Sequence, residues 1–239
     1  MIYLFIGMSL LFIAIGYIVT ENNAKYLLSG YNTMKEEDQQ KFDLKGYIPY
    51  FRKFHLFLGI SFLVLGLLFY YWVNEETAGV FIGIYPILAY IYFVWSSSKF
   101  SKNIKTKWNK LGTYLLLATL IFIIGAMFIG MKEDKLIIHK ESIEFTGSYG
   151  ENLNQSEIKS IEIVNSLPQI SFKTNGFAVG KIRKGFFKTT QGEVIKMIIN
   201  QDKGSYILFT RTNGKKLYFS SKEKPNGSVL NEIKQTLHK

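Results

Sequence analysis

The fold is decided by residues 99–131, KFSKNIKTKWNKLGTYLLLATLIFIIGAMFIGM, in which a basic segment leads into an apolar one. The basic segment contains five lysines and no acid: Lys99, Lys102, Lys105, Lys107 and Lys110. Residues 111–131 carry no charge, and about 20 apolar residues are enough for a helix to cross a bilayer core of about 30 Å. Because lysine-rich loops stay in the cytoplasm, we predict a membrane helix that leaves the cytoplasm at this junction.

Three more apolar segments precede this helix, so that residues 1–131 predict an α-helical transmembrane region with four spans. They cover residues 1–20, 54–73 and 79–98. The first has neither a basic start nor a small-residue cleavage site, which predicts a retained helix rather than a signal peptide. Tyr70, Tyr71 and Trp72 close the second span, where aromatic side chains suit the headgroup level.

The basic residues of the loops predict how the spans are oriented. The connections over residues 21–53, 74–78 and 99–110 hold six, zero and five Lys or Arg in that order. This places the first and third connections, including the loop 21–53, in the cytoplasm. The C-terminal domain then lies on the outer face, which is compatible with the rule because long domains translocate largely regardless of charge. The loss of any one span would reverse that side.

From residue 132 onward the sequence changes to short runs of β-forming residues separated by turn residues, which predicts a second, all-β domain over residues 132–239. Asn175-Gly176 and Asn213-Gly214 predict tight hairpins, because both central residues of such turns need a positive φ, and Gln191-Gly192 is a weaker signal. Eight antiparallel strands are expected, over residues 135–139, 143–147, 157–165, 169–174, 186–190, 194–200, 206–211 and 215–220.

The end of the chain predicts an amphipathic helix. Ser228 is a suitable N-cap, and the apolar residues Val229, Leu230, Ile233 and Leu237 recur at helical spacing. A set of short strands followed by one such helix predicts a small barrel or orthogonal sandwich whose open end the helix closes.

Two segments resemble known families. Residues 24–43, AKYLLSGYNTMKEEDQQKFD, are similar to a family of small bacterial membrane proteins of unknown function, in which an SGYNT loop follows the first of three helices. The resemblance covers residues 1–98, and its motif is Ser29, Gly30, Tyr31, Asn32 and Thr33. It implies a multi-pass protein of the bacterial cell membrane.

The second resemblance is to bacterial pleckstrin-homology-like domains, over residues 134–239. It rests on the strand order with a terminal helix and on the runs GSYG at 147–150, KTNG at 173–176 and KGFFK at 184–188. The resemblance implies a pleckstrin-homology-like barrel that serves as a binding or assembly module rather than as a catalyst.

The most concentrated basic patch of this domain is the candidate contact with lipid headgroups or a protein partner. Alternation along a strand would place Arg183 and Lys184 on opposite faces, unless a turn or bulge lies at Gly185. The alternative interpretation is a solvated loop. The patch contains Lys181, Arg183, Lys184, Phe186, Phe187 and Lys188.

Catalytic and cofactor sites are not indicated. His55, His139 and His238 are far apart, no ligand spacing suits a metal, and no cysteine is present. Residues 176–181 differ from a phosphate-binding loop, because Ile182 stands where a Ser or Thr would bind magnesium. The net charge of +11 lies beside membrane helices or is scattered over strands, and no nucleic-acid-binding motif occurs. We therefore expect no enzyme, no cofactor and no nucleic-acid partner.

These observations predict a membrane protein that presents a binding module at the bilayer surface, as a non-enzymatic sensor, adaptor or assembly factor. Its expected partners are the bilayer, anionic headgroups, and a protein partner or a second copy of the chain. The alternative is an oligomeric small transporter or channel subunit with a regulatory β-domain. The predicted spans hold no ionisable group for that role except His55 at an edge, so that a pore would need oligomerisation.

Overall fold

The computed structural model describes residues 1–28, 30–101, 108–202 and 204–237, without the side chains of residues 108–110. The chain divides into two compact units, residues 1–125 and 126–239. The predicted lysine-rich connection lies outside the described residues between positions 102 and 107.

Six helices are formed by the described residues before the first strand. They are α1 (Ile2–Ile18), α2 (Ala24–Leu27), α3 (Glu36–Lys41), α4 (Leu44–Leu68), α5 (Glu75–Ser97) and α6 (Trp108–Met131). A π-helical turn, Phe69–Val73, continues α4, and a 3-10 turn, Ser98–Ser101, continues α5.

Three of these helical segments are long and apolar enough to cross a membrane: Leu44–Val73, Glu75–Ser101 and Leu111–Met131. The first predicted span, α1, is apolar but has 17 residues, or about 25 Å of helix. It packs antiparallel to α4, because Phe5 contacts Gly66 while Gly16 contacts His55. The Ser9 hydroxyl also donates to the Gly59 carbonyl at 2.7 Å. Thus α1 follows the apolar part of α4 along most of its length.

The second helix is longer than the predicted span 54–73, because α4 begins at Leu44. The Asp43 carboxylate accepts a hydrogen bond from the Gly46 amide at 2.9 Å and so caps the first turn. The helical segment of 30 residues is about 45 Å long and exceeds the bilayer core of about 30 Å. Its first turns, which contain Arg52 and Lys53, therefore extend beyond the hydrocarbon.

The second unit contains nine described strands in two sheets. The three-stranded sheet has the order β1-β2-β3, and the six-stranded sheet has the order β4-β8-β9-β7-β6-β5. All neighbours are antiparallel except β7 and β9, which are parallel. The strands are β1 (Leu136–Ile138), β2 (Ser142–Phe145), β3 (Glu151–Asn154), β4 (Ile158–Val164), β5 (Ile170–Val179), β6 (Ile182–Thr189), β7 (Val194–Ile199), β8 (Tyr206–Arg211) and β9 (Lys216–Ser220).

Two features of the predicted barrel are wrong. The sheets are open, since β4 and β5 are the two edges of the larger sheet in the described part of the chain. The strands are also not all antiparallel. Strand β9 pairs antiparallel with β8 on one side and parallel with β7 on the other. The strand-rich domain and its terminal helix are as predicted.

Hairpins form at Gly192 and Gly214 as predicted, with φ of 89° and 80°. The predicted turn with a positive φ at both central residues does not form, because no described residue other than glycine has a positive φ. The predicted hairpin at Asn175-Gly176 is wrong, because β5 runs on to Val179 and turns at Gly180, where φ is 55°. Gly176 lies opposite Gly185 instead, and a Cβ at Gly176 would lie 2.2 Å from the Lys184 carbonyl oxygen. This glycine therefore permits close approach of two strands and does not form a turn.

The larger sheet is covered on one face by the smaller sheet and by the terminal helix α7 (Asn226–Leu237). Ile143 of β2, Phe209 of β8 and Ile233 of α7 are fully buried together there. The predicted apolar stripe of the helix is confirmed, although the helix begins at Asn226, before the predicted cap. A second cluster on the opposite face contains Phe187, Ile195, Met197, Ile199, Tyr206, Leu208 and Tyr218.

Candidate functional site: a basic groove beside a buried ion pair

The predicted basic patch does not form one surface. Lys181 lies in the turn before β6, and the strand then alternates its side chains between the two faces of the sheet. Phe187 is buried in the second apolar cluster, whereas Phe186 is 39% exposed on the opposite face. Lys188 is half-buried, with its ammonium 5.8 Å from the centre of the Phe172 ring. Arg183 is half-buried on the same face as Phe187.

Lys184 is separated from this patch because it is buried, with 2% of its surface exposed. Its Nζ lies 3.3 Å from Asp134 Oδ2 and donates a hydrogen bond to the Lys132 carbonyl. Burial lowers the pKa of Lys184 and raises the pKa of Asp134, and their mutual attraction opposes both shifts. Lys184 is therefore a structural ion-pair partner inside the domain.

A groove of about 270 Å³ opens beside Phe186 and gathers basic residues from three strands. Lys196 lies directly opposite Phe186 in the register of β6 and β7, and its ammonium is 5.5 Å from the centre of the Phe186 ring. Arg211, Lys215 and Lys216 reach the groove from either side of the β8–β9 turn. We call this set, Phe186, Lys196, Arg211, Lys215 and Lys216, the basic groove.

Glu151 holds the wall of the basic groove in place. Its carboxylate accepts a hydrogen bond from Arg211 and lies 3.0 Å from Lys196 Nζ. Burial alone would raise the pKa of Glu151, but the bonds from Arg211 and Lys196 outweigh burial, and the pKa is lowered. Lys216 is likewise bonded to Glu193 at 2.9 Å, which raises the pKa of that lysine. The groove thus has fixed walls and an excess of positive charge.

Three of these cations could have been found from the sequence. Arg211, Lys215 and Lys216 flank the predicted Asn213-Gly214 turn, and a turn with basic residues on both sides concentrates charge at one end of a hairpin. Lys196 gave no such signal, because only the register of β6 and β7 brings it opposite Phe186.

Four residues of the SGYNT loop, 30–33, are described, and Ser29 lies outside the described residues. The four make local contacts that hold the loop. Gly30 has a φ of 92°, and the Thr33 hydroxyl donates to its carbonyl at 3.2 Å. The Tyr31 ring packs 5.3 Å from Phe42. The backbone N–H of Asn32 donates a hydrogen bond to the Leu28 carbonyl at 3.1 Å. The loop thus fastens the turn between α2 and α3.

His55, which is predicted at the edge of a span, is buried inside the helical unit. It is 1% exposed. Its Nδ1 is 2.8 Å from the Phe51 carbonyl, and its Nε2 is 3.2 Å from the Tyr90 hydroxyl. His139 is 3.1 Å from Glu144 at the surface, and His238 lies outside the described residues. Within the residues that the structure describes, no group of three His, Asp or Glu side chains is placed to hold a metal.

The comparisons with known proteins give one match. Residues 6–101 match the family described as Domain of unknown function (DUF3784). No curated protein matches the chain, and no solved structure matches it. The family match covers most of the helical unit. The apolar helices of that unit indicate a membrane protein, and the strands of the second unit form its C-terminal β-domain.

Proposed function

We propose that residues 132–239 form a pleckstrin-homology-like binding module that contacts the bilayer surface, and that the protein acts as a non-enzymatic sensor, adaptor or assembly factor. The observation that carries the proposal is the basic groove, in which fixed cations surround the exposed Phe186 ring. Cations beside an exposed aromatic ring suit an anionic headgroup layer. Two packed sheets with a covering C-terminal helix support the likeness to pleckstrin-homology-like domains.

The connection to the membrane helix supports contact with lipid. α6 ends at Met131 and β1 begins at Leu136, so the domain is tethered within a few residues of the membrane. Each Lys or Arg near an anionic surface contributes about 1 kcal/mol, and the effect decays over a Debye length of about 8 Å. A short tether keeps the domain close enough to the membrane surface for this weak electrostatic attraction to set its orientation.

A label on the β8–β9 turn tests the proposal in the full chain. The chain contains no cysteine, so that Asn213→Cys introduces one thiol for an environment-sensitive fluorophore. In vesicles of phosphatidylcholine with phosphatidylglycerol, we expect the label to report contact with lipid at low salt and release at high salt. Vesicles of phosphatidylcholine alone should give no contact.

Charge reversals complete this test. Lys188→Glu with Lys215→Glu should abolish the contact, because Lys215 lines the groove and Lys188 lies on the same face of β6 as Phe186. The matched control is Lys140→Glu with Lys159→Glu, which makes the same change in charge in the β1–β2 turn and on β4, outside the groove, and should leave the contact intact. A signal that ignores phosphatidylglycerol, or that both double variants weaken equally, would refute lipid binding by the groove.

Crosslinking of the full chain in native membranes then distinguishes the roles. An adaptor or assembly factor should be captured with a signalling or transport protein through a photoreactive residue at Phe186. Capture of lipid alone would favour the sensor role.

One observation favours the alternative, a transporter or channel subunit. His55 is an ionisable residue buried among helices, with Tyr90 as its partner, and such residues mark ion and proton pathways. Proton or ion flux into vesicles that His55→Gln abolishes would support this function, and vesicles that remain impermeable would exclude it.

A further inference from the structure

A second cavity, of about 330 Å³, lies at the end of α6. Its volume is in the range of small-molecule sites, about 300–1,000 Å³. The last turns of α6 supply the apolar residues Ala126 and Ile129, and β5 supplies Phe177. All of its lining residues belong to the compact unit 126–239. It is separate from the basic groove.

The apolar wall lies at the depth where a membrane helix ends. Residues 111–131 form a candidate span, so its final turn lies at the boundary between hydrocarbon and headgroups. Gly130 brings Phe177 against this turn, since a Cβ at Gly130 would lie 2.3 Å from Phe177 Cδ2. A lipid acyl chain therefore has an apolar surface to follow into the cavity.

The polar floor is the buried ion pair of Asp134 and Lys184. The backbone of Asp134 is fixed, because its amide donates to Asn200 Oδ1 at 2.9 Å and its carbonyl accepts from Asn200 Nδ2 at 2.7 Å. The residue is 5% exposed. Its Oδ2 faces the Lys184 ammonium at 3.3 Å and accepts no well-directed hydrogen bond from the described residues. A buried carboxylate oxygen of this kind calls for a hydrogen-bond donor.

We propose that this cavity binds the headgroup of one phospholipid that carries an ammonium group, as in phosphatidylethanolamine. The ammonium donates to Asp134 Oδ2, and the phosphate faces the Lys184 ammonium. The four charges then alternate in sign, and Asp134 Oδ2, which faces Lys184 Nζ without a well-directed hydrogen bond, obtains a donor. The acyl chains lie along Ala126 and Ile129. Because the floor has no net charge, a headgroup with both signs fits better than an anionic one. The inference is independent of the basic groove.

Photolabelling of the full chain tests the inference. The probe is phosphatidylethanolamine with a diazirine in one acyl chain, present in trace amounts in phosphatidylcholine vesicles. We expect labelling of peptides that contain Ile129 or Phe177. The matched probe is phosphatidylcholine with the same diazirine, which has the same net charge and no N–H donor. It should label these peptides about tenfold less, since a charge-assisted hydrogen bond contributes at least that factor.

Two variants locate the site. Ile129→Trp fills the apolar wall and should remove most of the labelling. Ile121→Trp, an exposed position on the same helix outside the cavity, should leave it unchanged. Equal labelling by the two probes, or labelling that Ile129→Trp does not reduce, would show ordinary boundary lipid and overturn the proposal. Because the comparison of probes uses the unmodified chain, it decides the question even if a variant misfolds.

Discussion

Lys184 Nζ lies 3.3 Å from Asp134 Oδ2, and the two side chains are 3% and 6% exposed. These residues are far apart in sequence, one just after the membrane helix and the other in the middle of the domain. A charge of either sign at this depth is costly alone, and the two are tolerated because each faces the other. The pair therefore fastens the first residues after α6 to strand β6.

Removing one partner of this pair should destabilise the domain more than removing both. Lys184→Met leaves the Asp134 carboxylate buried without its cation, which typically costs about 3–5 kcal/mol. Asp134→Leu with Lys184→Met should cost less, because apolar residues of similar volume often replace a buried pair with little loss. Urea unfolding of the full chain in detergent, followed by circular dichroism of the β-domain, measures the difference.

An exposed ion pair provides the control. Lys135 and Glu223 are 3.5 Å apart with side chains 62% and 65% exposed, and Lys135→Ala should change the free energy of unfolding by at most about 1 kcal/mol. If the single and double variants of the buried pair were equally unstable, the unpaired charge would not be the cause.

The stability of the β-domain should fall in acid through Glu151. The pKa of this carboxyl is lowered in the folded state from its usual value of 4.5. A lowered carboxyl pKa adds stability above about pH 4.5 that is lost as the pH falls through the folded-state pKa. Glu151→Gln should therefore lower the free energy of unfolding at neutral pH and make that free energy vary less with pH in the acidic range. Unfolding at a series of pH values tests this, with the exposed Glu162→Gln retaining the original slope.

The contact between α1 and α4 should not tolerate a methyl group at Gly59. A Cβ there would lie 2.8 Å from the Ser9 carbonyl oxygen and 2.6 Å from Ile13 Cγ1. Since backbone cannot move aside cheaply, Gly59→Ala should cost about 1–3 kcal/mol. The matched control is Gly7→Ala, where nothing lies within 4 Å. Heating in detergent and measuring the fraction that stays monodisperse compares the two, and equal losses would contradict close packing at Gly59.

The predicted topology can be tested with single cysteines. Thr77→Cys and Asn213→Cys should react with an impermeant thiol reagent in intact cells, and Glu37→Cys should react only after lysis. The reason is the distribution of Lys and Arg among the loops. The absence of native cysteine makes each signal specific. Protection of Asn213→Cys together with labelling of Thr77→Cys would contradict a four-span arrangement.

Local patterns were enough to predict the elements whose environment is uniform. The apolar run 111–131 is helical throughout, and the strand predicted over residues 206–211 has those bounds in the structure. In both, an unbroken apolar run specifies the element: about 20 apolar residues suit a membrane helix, and a short apolar run bounded by turn residues suits a buried strand. The terminal helix was predicted from apolar residues at helical spacing instead.

The features that were missed depend on distant partners. Strand β3, with the sequence ENLN, has Leu153 as its one fully buried residue, and only pairing with β2 makes it a strand. Gly176 has the sequence context of a turn residue, but it lies within β5 opposite Gly185, where the absence of a side chain lets the two strands approach closely. Lys184 was assigned to the surface because its counter-ion, Asp134, is remote in sequence. Local composition carries no information on such pairs.

The position of β9 imposes an order on the making of this protein. Strand β9 is the last to be synthesised, yet in the described sheet it alone joins β8 to β7. A chain still on the ribosome before Lys216 can form the β5-β6-β7 ladder and the β4–β8 pair, but it has nothing with which to unite them. The domain therefore cannot assume its final form until the membrane helices, which precede it in the chain, have been synthesised. An early stop codon would leave an anchored protein with two unjoined halves of a sheet.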